Sequence, residues 1–309
     1  VVAGKGNNGN DGREAARPPR PLLGSVGRMT TTWRIAVLGA GLMGGAIART
    51  LAAAGHEVRA YDPEPGRASD AVAGSTATAV DAVAAAVEGT DLVLEAAPER
   101  LDLKHALLAE VEPLTTGVLA SNSSTFTPSQ LAEPLADPGR LLVAHWFNPA
   151  DVVPLVEVVP HPRTPAAAVD AVVALLADAG KHPVALAHEV DGFVGNRLQA
   201  AMLREAMHLV ETGVATREQV DAVVQHGLGP RWAAVGPLRV AELGGLDVWE
   251  AVADRLFPTL GDAGEAPRML REAADARRAG TSIDGDFGAV PADAAAADRE
   301  RIARRFREA

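Results

Sequence analysis

The chain of 309 residues contains no cysteine, one tyrosine and few aromatic residues of any kind. Without cysteine it has no disulfide, no thiolate nucleophile and no cysteine-ligated metal. Its formal net charge of −11 argues against the basic face that non-specific nucleic-acid binding requires. No apolar run approaches the roughly 20 residues of a membrane span, and no signal-peptide pattern is present. We therefore expect a cytoplasmic protein with no metal, no nucleic-acid partner and no membrane partner.

The first positive signal is a glycine turn of the form G-x-G-x-x-G directly after an apolar run. Gly39, Gly41 and Gly44 carry this pattern, and an apolar helix is predicted immediately after them. The first glycine permits a tight turn, the second lets the backbone approach a pyrophosphate, and the third lets the helix pack close to the strand. We predict that this turn, including Leu42 and Met43, binds a dinucleotide.

A carboxylate for the adenosine ribose follows at the expected distance. The second predicted strand ends at Asp62, which lies 62 − 39 = 23 positions after Gly39. This spacing is close to the roughly 20 positions of the dinucleotide fingerprint. No arginine adjoins Asp62, so a 2′-phosphate would meet a negative charge there. The pattern predicts NAD as the cofactor, in preference to NADP.

Beyond this motif, predicted strands alternate with alanine-rich helices up to about residue 186. Such alternation is typical of an α/β fold, here a Rossmann-type doubly wound parallel sheet. After residue 189 apolar residues recur at helical spacing, which predicts an all-helical second domain. We expect a disordered N-terminal extension (1–28), an NAD-binding domain (29–188) and a helical substrate and dimerisation domain (189–309). The strands are predicted at 34–38, 57–61, 92–97, 117–120, 141–145, 155–159 and 183–186.

Polar residues at the carboxyl ends of these strands are the candidates for chemistry, because ligands of doubly wound sheets bind there. Glu157 is unusual, since it interrupts the apolar run 155–159 and is costly to bury without a partner. A histidine is the natural partner, and His145 ends the preceding strand. The other candidates near strand ends are Ala97, Glu99, Asn122, Ser124 and Asn148.

Taken together, these motifs resemble those of the L-3-hydroxyacyl-CoA dehydrogenase family from residue 34 to about residue 245. The matching stretches are the glycine turn, Ala97-Pro98-Glu99 with Lys104, the serine run 121–125, His145-Trp146-Phe147-Asn148-Pro149, 155–158 and 191–197.

The resemblance implies an NAD-dependent dehydrogenase in which His145 is the catalytic base and Glu157 orients it. It implies that Ser124 and Asn196 hold the oxygen atoms of a small-molecule substrate. Glu99 and Lys104 are expected to line the cleft beside the nicotinamide. The predicted cofactor site therefore consists of the glycine turn, Asp62, Ala97, Glu99, Lys104 and Asn122. A homodimer through the helical domain is also implied.

Simpler roles remain open for some of these residues. The serine run after a strand can be only a helix cap, and Asn196 can be only a cap for the first helix of the second domain. Glu99 and Lys104 can form a surface ion pair without a functional role. His145 has a structural alternative as well, although Glu157 and the Asn-Pro turn favour catalysis.

The sequence departs from the family pattern in a way that concerns the substrate. Only 99 − 62 = 37 positions separate Asp62 from Glu99, so the helical hairpin that helps to hold coenzyme A is expected to be missing. The closing motif Gly-x-Gly-Phe-Tyr is absent from the C-terminal end. The substrate can therefore be a CoA ester, a carrier-protein ester or a free 3-hydroxy acid. The alternative function is that of a catalytically silent structural or ligand-binding protein, as in the related lambda-crystallins.

Overall fold

A computed structural model describes residues 32–279 and 292–308 of the chain. The predicted N-terminal extension (1–28) lies outside these residues. Eight strands form one sheet in the order β3-β2-β1-β4-β5-β6-β7-β8. The strands are β1 (Arg34–Leu38), β2 (Glu57–Tyr61), β3 (Thr78–Ala79), β4 (Leu92–Glu95), β5 (Val118–Ser121), β6 (Leu141–Trp146), β7 (Leu155–Pro160) and β8 (His182–Ala185).

Helices cover both faces of this sheet because its central strands are apolar on both sides. Ile35 and Val37 of β1 pack into one buried cluster, and Ala36 and Leu38 pack into the other. This alternation follows from the two-residue period of a strand. The helices of this part are α1 (Leu42–Ala53), α2 (Arg67–Val72), α3 (Val83–Val87), α4 (Leu101–Val111), α5 (Pro128–Leu131) and α6 (Ala166–Asp178).

The strands predicted from the sequence are all present, and their ends lie within two residues of the prediction. The prediction missed β3, which has two residues and is too short to give an apolar pattern. The segment between β2 and β4 contains only α2, β3 and α3, so the expected absence of a long helical hairpin is confirmed there.

One pair of neighbouring strands does not run in parallel as predicted. β6 and β7 are antiparallel, whereas the remaining neighbours pair in parallel. The reason is the short connection 147–154, because a parallel crossover needs about a dozen residues or more. In this antiparallel register His145 lies directly opposite Glu157. The local reversal therefore places these two side chains side by side.

From residue 195 onward the described residues contain helices and no strand, as predicted. The predicted domain boundary near residue 189 falls between the end of β8 and the first of these helices. The helices are α7 (Gly195–Glu211), α8 (Arg217–Val223), α9 (Gly229–Val235), α10 (Pro237–Gly244), α11 (Leu246–Leu256), α12 (Arg268–Arg278) and α13 (Ala292–Glu308).

Candidate active site

The glycine turn between β1 and α1 has the geometry that its sequence predicts. Gly39 has a φ of +95°, and a Cβ there would lie 2.6 Å from the Ala96 carbonyl oxygen. A Cβ on Gly44 would lie 1.8 Å from the Gly39 carbonyl oxygen, so helix and turn are in backbone contact. A Cβ on Gly41, by contrast, would meet no protein atom within 4 Å. The space in front of Gly41 is therefore open to a ligand.

The surroundings of this space fit an anionic dinucleotide. No side chain caps the N-terminus of α1, so the amides of its first turn face outward, where they can bind phosphate oxygens. Asp62 accepts hydrogen bonds from the amides of Ala40 (2.8 Å) and Glu64 (2.9 Å), which fix its carboxylate beside the turn. Residues of this kind would hold the pyrophosphate and the ribose of NAD.

No arginine adjoins Asp62 in the sequence, but an arginine lies near it in the structure. Arg67 reaches within 3.8 Å of the Asp62 carboxylate, and it also pairs with Glu64. Two carboxylates thus face one guanidinium, and the local charge stays negative. A 2′-phosphate would still be repelled there.

We expect the Asp62→Ala variant to bind NAD more weakly and to lose its discrimination against NADP. Removing the carboxylate takes away the ribose contact and leaves Arg67 available to a 2′-phosphate. The ratio of kcat/KM for NAD over NADP should fall by about tenfold or more, equivalent to roughly 1.4 kcal/mol. Arg67→Ala is the control, since it should keep the preference for NAD. Equal efficiency of the unaltered chain with both cofactors would contradict this assignment.

His145 and Glu157 form a buried hydrogen-bonded pair. Nδ1 of His145 lies 2.9 Å from Oε2 of Glu157, and both side chains are buried. Oε1 of Glu157 accepts hydrogen bonds from the amides of Val194 (3.0 Å) and Gly195 (2.8 Å) at the start of α7. A single carboxylate therefore joins the histidine to the entry of the helical part.

These contacts keep Glu157 ionised. Burial alone raises the pKa of its carboxyl, but the hydrogen bonds from His145 and from the Gly195 and Val194 amides outweigh burial, and the pKa lies below its ordinary value. Since folding lowers this pKa, the stabilisation is complete above the unfolded-state pKa and is lost as the pH falls through the folded-state pKa. A carboxylate in this place accepts the Nδ1 proton of His145, so Nε2 carries the free lone pair.

Two phenylalanines pack against the ring of His145. The ring centroids of Phe147 and Phe193 lie 4.5 Å and 5.5 Å from that of His145. Phe193 is fully buried at a φ of +53°, and a Cβ on Gly195 would come within 2.5 Å of the Phe147 ring. Residues 193–195 are thus fitted closely around the pair, and the rings limit the access of water to it.

Ser124 and Asn196, which are 72 positions apart in sequence, lie side by side. The Asn196 amide Nδ2 donates to the Ser124 carbonyl oxygen at 2.9 Å. The simple cap role for Asn196 is not observed, because the N-terminus of α7 has no side-chain cap. Asn122 accepts a hydrogen bond from the amide of Trp146 (3.0 Å), next to His145. Residues 121–127, which we call the serine loop, are therefore attached both to β6 and to the helical part.

The interpretation of Glu99 and Lys104 as a surface ion pair is wrong. Lys104 is only 1% exposed, and its Nζ contacts Glu95 at 2.9 Å and Glu99 at 3.3 Å. Sequence reasoning missed Glu95 entirely. The signal was present, because Glu95 ends the apolar run 92–94 much as Glu157 interrupts its own run.

Neither a metal centre nor a membrane span is found in the parts of the chain that the structure describes. Residues 32–279 and 292–308 contain no group of three or more His, Cys, Asp or Glu side chains placed to hold a metal ion. None of the helices in these ranges combines the length and apolarity needed to cross a bilayer.

Comparison with protein-family models identifies both parts of the chain. Residues 72–190 match the 3-hydroxyacyl-CoA dehydrogenase NAD-binding domain, and residues 192–288 match the C-terminal domain of the same family. A model of NADP- and coenzyme F420-dependent oxidoreductases also matches residues 34–107, which contain the glycine turn.

Among curated proteins, the chain is similar to L-carnitine dehydrogenase of Streptomyces griseus. The two are 37% identical over 291 residues, which is 86% of this chain and 87% of that protein. The chain is also 39% identical to a lambda-crystallin homolog of Bos taurus over 235 residues, 68% of this chain and 73% of that protein.

Solved structures give a consistent result. An NAD⁺-dependent 5-formyl-3-hydroxy-2-methylpyridine 4-carboxylic acid 5-dehydrogenase matches with a TM-score of 0.81 and 30% identity, over 89% of this chain and 96% of that one. A 3-hydroxyacyl-CoA dehydrogenase of Archaeoglobus fulgidus matches with a TM-score of 0.68 and 32% identity, over 89% and 97%.

Proposed function

Since the chain belongs to the 3-hydroxyacyl-CoA dehydrogenase family, we propose that it interconverts the 3-hydroxy and 3-oxo forms of a free 3-hydroxy acid, with His145 and Glu157 as its base. The chain is an NAD-dependent dehydrogenase acting on a CH–OH group. The proposal adds the catalytic pair and the form of the substrate.

The contact that carries the proposal is the 2.9 Å hydrogen bond between His145 and Glu157. With its Nδ1 proton held by the carboxylate, His145 accepts the proton of the substrate hydroxyl on Nε2. Glu157 then stabilises the imidazolium. The nicotinamide, when bound, would take up the hydride from the carbon that carries the hydroxyl group. We assign Ser124 and Asn196 to the substrate oxygen as neutral donors, and the contact between them supports a common role.

The form of the substrate is inferred from the segment between β2 and β4. Its three short elements offer no helical hairpin with which to hold coenzyme A. The relative from Streptomyces griseus takes its name from L-carnitine, a 3-hydroxy acid that is not a thioester. Both observations favour a free acid over a CoA ester, and L-carnitine is the first compound to test.

The test is a steady-state assay of NADH formation with L-carnitine, L-3-hydroxybutyrate, its pantetheine ester and its CoA ester. We expect a free acid to be oxidised with a kcat/KM at least equal to that of the CoA ester, because remote groups that are not held contribute nothing to catalysis. A CoA ester that is better by about a hundredfold, or roughly 2.7 kcal/mol, would show that coenzyme A is recognised elsewhere on the chain.

The His145→Gln variant is the control for this assay. It keeps a polar side chain of similar size but has no base, so the activity should fall by about a hundredfold or more, and activity that does not fall belongs to a contaminant. If neither the free acids nor the esters are oxidised, the alternative of a silent, crystallin-like protein gains support. The similarity to a lambda-crystallin homolog is the observation that favours this alternative.

The helical part leaves a large apolar surface uncovered in a single chain. From residue 195 onward, the described residues include only three buried apolar side chains, Met207, Val240 and Ala303. Leu238 and Phe257 are 82% and 72% exposed. Surfaces of this kind are usually interfaces. We propose that a second copy of the chain covers it in a two-fold dimer.

The dimer is tested by the mass in solution. Light scattering at micromolar concentration should give twice the mass of one chain. Leu238→Glu should shift this mass toward the monomer, because it places a charge in the apolar interface. A matched change on an exposed charged residue, Glu250→Lys, serves as the control. A monomeric mass for the unaltered chain would overturn the proposal.

A further inference from the structure

Behind the serine loop lies a cluster of three charged side chains, Glu95, Lys104 and Glu99, which we call the acid–lysine cluster. Glu95 and Lys104 are each 1% exposed, and Nζ of Lys104 lies 2.9 Å and 3.1 Å from the two oxygens of Glu95. Charges buried to this degree are costly unless each is paired. Glu95 is held further by the Ala97 amide at 2.6 Å and by the Ser121 hydroxyl.

The position of Lys104 leaves it no proton for a ligand. Its Nζ lies within 3.3 Å of four oxygen atoms, two from Glu95, one from Glu99 and the Ala97 carbonyl oxygen at 3.2 Å. An ammonium has only three protons to donate. Lys104 is therefore saturated within the protein, and it acts on the site through the carboxylates that it holds.

Glu99 is the member of the cluster that reaches the active site. Its Oε2 faces Lys104, and its Oε1 accepts from the Ser123 hydroxyl (2.7 Å), the Ser124 amide (2.9 Å) and both the amide and hydroxyl of Thr125 (2.9 Å each). Four donors on one oxygen atom fix the loop to the carboxylate. Burial raises the pKa of Glu99, but the Ser123 hydrogen bond and the charge of Lys104 outweigh it and lower the pKa overall.

Ser124 is thus held from two sides. Glu99 accepts from its amide, and the side chain of Asn196 donates to its carbonyl oxygen at 2.9 Å. Of the polar groups of Ser124, this leaves the side-chain hydroxyl for the substrate. A displacement of the order of 1 Å in a group that orients substrate is enough to reduce the rate about a hundredfold.

We propose that Glu99, held by Lys104 and Glu95, is a positioning residue for Ser124. The inference rests on the proposed function, because it assigns Ser124 to the substrate oxygen. This departs from the expectation that Glu99 and Lys104 line the cleft beside the nicotinamide: the main effect of Glu99 falls on substrate turnover, and NAD affinity depends little on it.

The experiment compares Glu99→Ala with the unaltered chain. Glu99 is the one accessible member of the cluster, with 36% of its side chain exposed, so its removal leaves no buried cavity. Amide hydrogen exchange, followed by mass spectrometry, reports the loop over 121–127, and calorimetric titration reports NAD affinity. Asp102→Asn is the matched control, since Asp102 lies on the same helix as Lys104 and forms an exposed ion pair with Arg100.

We expect Glu99→Ala to speed exchange over 121–127, to lower kcat/KM for the substrate by about tenfold or more, and to leave NAD affinity unchanged. Glu99→Ala and Ser124→Ala should not add in kcat/KM, because both act through the same hydroxyl. Lys104→Met should show the same pattern more strongly, and Glu99→Ala decides the question alone if Lys104→Met does not fold. Asp102→Asn should resemble the unaltered chain.

Two results would overturn the inference. One is a tenfold loss of NAD affinity in Glu99→Ala with unchanged exchange, which would make Glu99 a cofactor ligand. The other is full additivity with Ser124→Ala. If the unaltered chain oxidises no 3-hydroxy acid, the proposed function fails instead, and the exchange measurement still decides whether the cluster holds the loop.

Discussion

The Glu157→Gln variant should lose about three orders of magnitude or more in kcat/KM for the oxidation, roughly 4 kcal/mol. The amides of Val194 and Gly195 require an acceptor, so the glutamine oxygen must remain where Oε1 of Glu157 lies. Its NH₂ group then faces Nδ1 of His145. That nitrogen must accept, and the proton moves to Nε2, where the base needs its lone pair. In a Ser-His-Asp triad, a change of this kind costs about 10⁴ in kcat because the histidine takes the wrong tautomer.

The measurement compares kcat/KM with NAD affinity in the same variant. NAD affinity should not change, because Glu157 belongs to β7 and the cofactor turn belongs to β1. The matched control is Glu112→Gln, because Glu112 also accepts two backbone amides, Ala136 (2.8 Å) and Asp137 (2.7 Å), but lies outside the site. It should retain full activity. Near-normal turnover in Glu157→Gln would show that His145 needs neither the negative charge of Glu157 nor the tautomer with its proton on Nδ1.

Gly44→Ala should unfold the cofactor site. The new Cβ would lie 1.8 Å from the Gly39 carbonyl oxygen, and because that atom belongs to the backbone no side-chain rotation can relieve the overlap. Helix α1 must then move away from β1, into whose buried cluster it packs. We expect a loss of about 3 kcal/mol in the free energy of unfolding, at the upper end for overpacking. Denaturant unfolding measures this loss.

Gly41→Ala separates cofactor binding from folding. A Cβ on Gly41 meets no protein atom within 4 Å, so the free energy of unfolding should stay close to that of the unaltered chain. The same methyl group would occupy space assigned to the pyrophosphate, and NAD affinity should fall by about tenfold or more. If Gly41→Ala binds NAD normally, the cofactor does not approach this glycine. If Gly44→Ala is as stable as the unaltered chain, the close packing of helix and turn is wrong.

The local parts of this site are accessible to sequence reasoning, since each depends on a few consecutive residues. The turn from Gly39 to Gly44 is defined by its own backbone requirements, and Asp62 follows at a fixed spacing. Glu157 can be singled out because a carboxylate in an apolar run needs a partner. For the same reason Glu95 was predictable in principle, although its partner Lys104 lies on the next helix.

The non-local parts could not be predicted in this way. The pairing of His145 with Glu157 was predicted, but the antiparallel direction of β7 that sets them opposite each other was not, because a parallel sheet was expected. The contacts of Glu99 with the serine loop join residues 24 to 26 positions apart. The approach of Arg67 to Asp62 depends on the position of α2. Such contacts follow from tertiary packing, which no local pattern contains.

The chemistry proposed for this chain depends on His145 and Glu157 acting as one unit. The most direct test is a double-mutant cycle on kcat/KM with the unaltered chain, His145→Ala, Glu157→Gln and the double variant, all assayed with the best free 3-hydroxy acid. Residues that act as a unit are not additive, so the double variant should be little worse than His145→Ala alone. If the two losses multiply instead, Glu157 acts independently of the histidine, and the assignment of the catalytic pair is wrong.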